Sequence, residues 1–219
     1  STVDLTDPEK SGEHRGVHPR IGALDVVPVV PISPSATLSE AATIARTIGE
    51  ELADRLDLPV HLYGAAARTE ERRSLPHLRR GGFEQLVANQ STDAGAPDFG
   101  PRLPHPTAGA VAVGARPLMA AWNIALVGDE TARLLQVAQE IAREIRGTSP
   151  TGVRGLQALG FPLASSGTAQ VSMNLHDLLA ASERGETLHA IRERIRDAAR
   201  ARGAEIGETE IVGLLPERA

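Results

Sequence analysis

Apolar residues recur along the chain with two periods, one helical and one alternating. From Thr37 the stretch "TLSE" sets a hydroxyl three residues before Glu40, the spacing of a capping box. Ala41, Ala45, Ile48, Leu52 and Leu56 then follow at steps of three and four, which predicts one apolar helix face. Pro59 ends that helix and opens a short strand, "PVHLYG". A second helix is predicted from about Asp129 to Arg146, with Leu134, Val137, Ala138, Ile141 and Ile145 as its stripe and Gly147 beyond its end. A third is predicted from Ser182 to about Arg202, with Leu188, Ile191, Ile195 and Ala198 inward. Its other face carries Arg192, Arg194, Arg196, Arg200 and Arg202, interspersed with Glu193 and Asp197, and reads as a solvated, charge-balanced face rather than an anion-binding surface.

Strands are predicted at Ala23–Ile32, Pro59–Gly64, Ala110–Ala115, Leu118–Val127, Val153–Phe161, Thr168–Leu175 and Glu205–Leu215. From Leu118 onward the order is strand, helix, strand, strand, helix, strand, the ferredoxin-like βαββαβ pattern. The first half reads as a similar unit without its opening elements. The expected class is therefore α+β: two ferredoxin-like α/β subdomains, residues 1–115 and 116–219, with helices packed on mixed or antiparallel sheets, the first incomplete. Residues 68–109 are the least regular part. The Pro and Gly density of "STDAGAPDFGPRLPHPTAG" excludes a helix or central strand there, and an irregular stretch of that length points to function or disorder.

Composition narrows the chemistry. A hydrophobic content of 41% supports a packed core, and it must be aliphatic because the aromatics are only Tyr63, Phe83, Phe99, Trp122 and Phe161. That scarcity and the net charge of -5 argue against nucleic acid and anionic lipid as partners. The absence of cysteine excludes disulfides, thiolate metal sites and a thiol nucleophile. With no apolar run of bilayer-spanning length and a polar, acidic N-terminus, the expectation is a soluble protein of the cytoplasm.

The stretch "HRGVHPRIGALDVVPVVP", residues 14–31, places two imidazoles and two guanidiniums directly before an apolar strand. His14 and His18 have the i, i+4 spacing of helical metal ligands, but Gly16 and Pro19 oppose a helix, so no metal is expected. Pro19 holds His18 in extended backbone at a strand entrance. An imidazole there is suited to proton transfer at neutral pH; it is equally suited to a backbone hydrogen bond. No GxSxG elbow, GxGxxG or Walker A loop is present, which argues against a serine hydrolase and against NAD or ATP.

Taken together, "HRGVHPRIGALDVVPVVP", "PVHLYGAAA", "RRSLPHLRRGGFEQL", "PDFGP", "GAVAVGARPLMAAWNIAL", "GTAQVSMNL" and "EIVGLLP" resemble, in the same order, the glutamate formiminotransferases. The resemblance runs over nearly the whole chain. It implies two α/β subdomains with the active site between them, and transfer of a formimino group from N-formiminoglutamate to N5 of tetrahydrofolate, a step of one-carbon metabolism and histidine degradation. The histidine of the family's HPR motif corresponds to His18, as general acid and base. The folate-contacting loop corresponds to Gly100, Pro101, Arg102, Leu103, Pro104, His105, Pro106, Thr107, Ala108 and Gly109.

Formiminoglutamate carries two carboxylates, so planar guanidiniums are natural clamps; Arg20 and Arg116 are the candidates, with a salt bridge to Asp25 as the alternative for Arg20. Alternation puts Gln170, Ser172 and Asn174 on one strand face, where the two amides line the substrate site or satisfy buried backbone; Asn123 is a candidate of the same kind. Three departures accompany the resemblance. Family members carry a longer N-terminal stretch, so a homodimer, or a chain supplying the missing elements, is the expected partner. The 100–109 loop has no aromatic to stack on a pterin, with Ala108 where many relatives have Trp. Ala65 stands where "YGEAA" would have Glu. The alternatives are a related transferase with a different acceptor, or a non-catalytic paralogue that binds a ligand or a partner.

Overall fold

The computed structural model describes residues 19–33, 35–89, 95–128, 130–163, 167–213 and 215. The chain divides into two compact units, Ser1–Arg116 and Pro117–Ala219. The first contains β1 (Asp25–Val29), α1 (Leu38–Leu56), β2 (Val60–Gly64), a 3-10 turn (Glu71–Arg73), α2 (Leu75–Leu78), α3 (Gly82–Asn89) and β3 (Val111–Ala115). The second contains β4 (Met119–Val127), α4 (Thr131–Ile145), β5 (Leu156–Leu163), β6 (Thr168–His176), α5 (Leu178–Glu183), α6 (Leu188–Arg200) and β7 (Glu205–Val212). The α+β class read from the sequence holds.

In the first unit the strand order is β1-β3-β2, and both pairings are parallel. Each strand is reached by a crossover, through α1 from β1 to β2 and through residues 65–110 from β2 to β3, and parallel neighbours need such connections. Pro28 is tolerated because β1 is an edge strand. The capping box forms as expected. The Thr37 hydroxyl accepts from the Glu40 N–H at 3.2 Å, while the Glu40 carboxylate accepts from the Thr37 N–H at 2.8 Å. The helix ends where Asp57 turns left-handed, at φ 52°. Its buried face is Ala41, Ala42, Ala45, Gly49 and Ala53, small enough to bring the helix close to the sheet. Leu56, expected on that face, is 53% exposed because it is the last helical residue.

The two faces of this sheet are different. Val60, Leu62, Val111 and Val113, all fully buried, pack under α1. Burying each contributes about 2 kcal/mol. On the other face Tyr63 and Ala112 join Ile21, covered by Leu75, Leu78 and Leu86 of α2 and α3. By alternation His61 shares that second face with Tyr63.

The second unit has strand order β5-β6-β4-β7, with every neighbour antiparallel. That is the ferredoxin-like order predicted from the element sequence. Its core lies on one side of the sheet, where Trp122, Ile124, Leu126, Val171, Met173 and Leu175 meet Leu134, Ile141, Ile145, Ile191 and Ile195. The helix predicted from Ser182 begins instead at Leu188, and the short helix α5 before it, Leu178–Glu183, was not predicted. Gly185, at φ 78°, ends α5, and the Thr187 hydroxyl caps α6 by accepting from the Ala190 N–H at 3.1 Å. The arginine-rich face of α6 is paired, as its charge pattern suggested. Arg196 contacts Glu193, Arg200 contacts Glu205, and Arg202, in the turn just after α6, contacts Glu140 and Glu144 of α4. Among the described residues no helix is long and apolar enough to cross a membrane.

Candidate active site

His18 lies outside the described residues. Pro19, next in the chain, is exposed, and half-buried Arg20 and fully buried Ile21 follow. Backbone bonds tie this segment to the far end of the 100–109 loop. The Ala110 N–H donates to the Ile21 carbonyl at 2.9 Å, and the Ala23 N–H donates to the Ala108 carbonyl at 2.9 Å. Gly22 makes the approach possible, because a Cβ there would overlap the Ala110 carbonyl. Asp25 completes the fastening. Its carboxylate accepts from the Ile21 N–H at 2.8 Å and from the Arg79 guanidinium at 2.5 Å, with its own backbone left-handed at φ 49°.

The loop itself is shaped by His105. Its Nδ1 accepts from the Ala108 N–H at 3.1 Å and from the Thr107 N–H at 3.3 Å, and its backbone pairs with Gly109 in both directions. When the ring is neutral, its proton therefore sits on Nε2. Gly100 enters the loop at φ 81°. Arg102, Leu103 and Pro106 are exposed, Leu103 at 61%; Pro101, Pro104, His105, Thr107 and Ala108 are half-buried, and Gly109 is buried. Arg116 follows the end of β3, where its N–H donates to the Val29 carbonyl at 3.2 Å. Burial pushes the Tyr63 phenol up, and the guanidiniums of Arg116 and Arg79 oppose that rise.

Arg20 and the 100–109 loop are thus brought together within one unit. Arg116 closes the same unit, and the predicted amides belong to the other. There Asn123, Gln170 and Asn174 lie on the sheet face turned away from the core. Asn123 pairs with Ser172, and Ala121 with Asn174, in the β4–β6 register. The Asn123 amide donates to Glu210 at 2.9 Å. Gln170 is 8% exposed. Among the described residues, no group of three His, Cys, Asp or Glu side chains is close enough to hold a metal ion.

A second feature of the first unit was not anticipated from the sequence. A cavity of about 380 Å³ opens on the sheet face under α2 and α3, lined by His61, Thr69, Arg72, His77, Arg80 and Gln85 among others. His61 forms part of its lining at 2% exposure, and its Nδ1 has no hydrogen-bond partner among the described residues. Burial, helped by the Arg72 charge and opposed by Asp98, holds the imidazole pKa down at about 4. The only sequence signal was one polar residue in "VHLY", which alternation alone cannot distinguish from a surface position.

That shift makes a prediction. The unfolded chain takes up a proton near pH 6.5 that the folded chain refuses until about pH 4. This stability is present in full above pH 6.5 and is lost as pH falls through that window. Between pH 7 and pH 4.5 the wild type is expected to lose about 2–3 kcal/mol more than His61→Phe in urea unfolding. Equal losses in the two proteins would show that His61 is not the group responsible.

Two family models match the chain in succession. The formiminotransferase domain, N-terminal subdomain, matches residues 9–116, and the formiminotransferase domain matches residues 121–219. A glutamate formimidoyltransferase of Streptococcus pyogenes serotype M1 is 37% identical over 217 residues, covering 99% of this chain and 67% of that protein. A formimidoyltransferase-cyclodeaminase of Sus scrofa is 37% identical over 207 residues, covering 94% of this chain. A glutamate formimidoyltransferase of Thermoplasma acidophilum is 34% identical over 208 residues, covering 94% of this chain and 65% of that protein. The chain spans 37% of the length of the Sus scrofa relative. Both subdomain models in order, with these relatives along almost the whole chain, show that it belongs to the formiminotransferase domain family.

Proposed function

We propose that this chain transfers a formimino group from N-formiminoglutamate to N5 of tetrahydrofolate, with His18 as the proton carrier. The observation that carries the reading is the ordered match of both subdomains to relatives named glutamate formimidoyltransferase. The hydrogen bonds from Ala110 to Ile21 and from Ala23 to Ala108 support it, since they join the segment just after His18 to the loop that the resemblance assigns to folate.

In this reading a bond forms between N5 and the amidine carbon, and the bond from that carbon to the glutamate nitrogen breaks. Neutral His18 accepts the proton that N5 loses and returns it to the departing nitrogen, so no net proton is consumed. Arg20 and Arg116 serve the donor's two carboxylates, and a bidentate guanidinium contact fixes their orientation. Arg102, exposed on the loop, suits the carboxylates of the folate glutamate, and Leu103 offers an apolar surface to its rings. Gln170, Asn174 and Asn123 contribute amides that orient polar atoms of the substrates.

A second reading, transfer to a different acceptor, is favoured by one feature: residues 100–109 contain no aromatic side chain to stack on a pterin. Incubation with formiminoglutamate and tetrahydrofolate separates the two. Donor consumption with the carbon recovered on tetrahydrofolate supports the first, and consumption only when another acceptor is supplied supports the second.

A further inference from the structure

The cavity under α2 and α3 has a lining that the transfer chemistry does not use. Several of its polar groups are already committed. Arg72 is held by the Asp98 carboxylate at 2.8 Å and by the Ala96 carbonyl at 2.5 Å. Glu71 accepts from its own backbone N–H and from the Thr69 hydroxyl, and these bonds, with the nearby His77, hold its carboxyl below the usual carboxylate range. The Gln85 amide donates to Asn89 at 3.0 Å. Three groups are left facing the space. Arg80 is an exposed guanidinium with no ion pair among the described residues. The His77 ring is free of hydrogen bonds among them, with the Glu71 carboxylate as its electrostatic neighbour, and His61 forms a buried wall whose Nδ1 has no hydrogen-bond partner among the described residues. Consecutive left-handed glycines, Gly81 at φ 77° and Gly82 at φ 66°, turn the chain between α2 and α3 and so fix where Arg80 sits.

We infer that this cavity binds a small metabolite through an oxyanion group, a carboxylate or a phosphate, with Arg80 and His77 contacting the charge above the His61 imidazole. A guanidinium supplies the planar donor pair that either oxyanion needs. The His77 imidazole adds a ring N–H donor beside it. The volume, about 380 Å³, falls at the small end of ligand pockets. The wall of the site is rigid, because Arg72 and Asp98 hold the 3-10 turn to the edge of β2. This inference does not rest on the transferase reading, and its test needs no turnover.

Ring resonances of His61 and His77 are followed by NMR at constant ionic strength, with sodium chloride replaced stepwise by sodium phosphate or, separately, by sodium glutarate. The expected result is a saturable shift of both rings with at least one of the two anions, and at least ten-fold weaker saturation in Arg80→Gln. Saturation by phosphate alone assigns a phosphorylated ligand; saturation by glutarate alone assigns a carboxylate. Arg80 is exposed, so its replacement leaves the fold intact, which the unshifted amide spectrum verifies. No saturable shift with either anion, or equal saturation in Arg80→Gln, would overturn the inference.

Discussion

Replacing His18 by Ala is expected to lower formimino transfer by about 10²–10⁴-fold, the contribution of a positioned general acid–base group. The expectation comes from the reaction and from the residues that follow. Attack by N5 leaves a proton to be removed, and departure of glutamate requires one, so a single imidazole that first accepts and then donates a proton can serve both halves of the step. Pro19 stiffens the backbone after it. Ile21, three residues on, is fully buried and is held by both Asp25 and Ala110. The same substitution is expected to leave the urea midpoint unchanged, because the buried anchor at Ile21 is untouched. Turnover within three-fold of wild type would remove His18 from the mechanism. A collapse of the urea midpoint would make it structural instead.

Asp98→Ala is expected to destabilise the first unit by about 3–5 kcal/mol, the cost of leaving a buried charge without its partner. The Asp98 side chain is 3% exposed. It accepts from the Leu62 N–H at 2.7 Å and from the Arg72 guanidinium at 2.8 Å, with Arg68 at 3.5 Å. Its own segment also covers the open edge of β2. The Val60 N–H donates to the Phe99 carbonyl at 3.0 Å, and the Asp98 N–H donates to the Val60 carbonyl at 2.7 Å. Removing the carboxylate leaves Arg72, 15% exposed, with a buried charge, and leaves an edge amide without its acceptor. Urea unfolding measures the loss. A change below about 1 kcal/mol would mean that Arg72 and the Leu62 amide find water or new partners.

These residues show where the sequence was legible. The α1 capping box and the α4 stripe depend on neighbours within a few positions, and both appear as read; the second unit keeps its predicted strand order and gains one short helix, α5. The alternation of "AQVSMNL" was equally local: Ala169, Val171, Met173 and Leu175 are buried in the core, and Gln170, Ser172 and Asn174 share the opposite face. What could not be read depends on long-range contact. α2 and α3 are too short for a periodic stripe, and they exist because Leu75, Leu78 and Leu86 cover Tyr63 and Ala112. The late start of α6 turns on one left-handed glycine, Gly185, inside the stretch read as helical. The parallel sheet direction follows from crossovers whose path the sequence does not state. For the candidate site, the residue types were visible but their joining was not. Ile21 and Ala110 are far apart in sequence and meet through a hydrogen bond that no local pattern encodes. The His61 cavity was hidden for the same reason, since its lining comes from β2, the 3-10 turn, α2 and α3 together.

The most direct measurement supplies formiminoglutamate carrying ¹³C in the formimino carbon, with tetrahydrofolate, and follows the labelled carbon by NMR. Transfer predicts that the donor resonance decays with protein concentration while a resonance of formimino carbon on tetrahydrofolate N5 grows in equal amount, together with unlabelled glutamate. A donor signal that persists unchanged at stoichiometric protein, with the chain folded, would contradict the account.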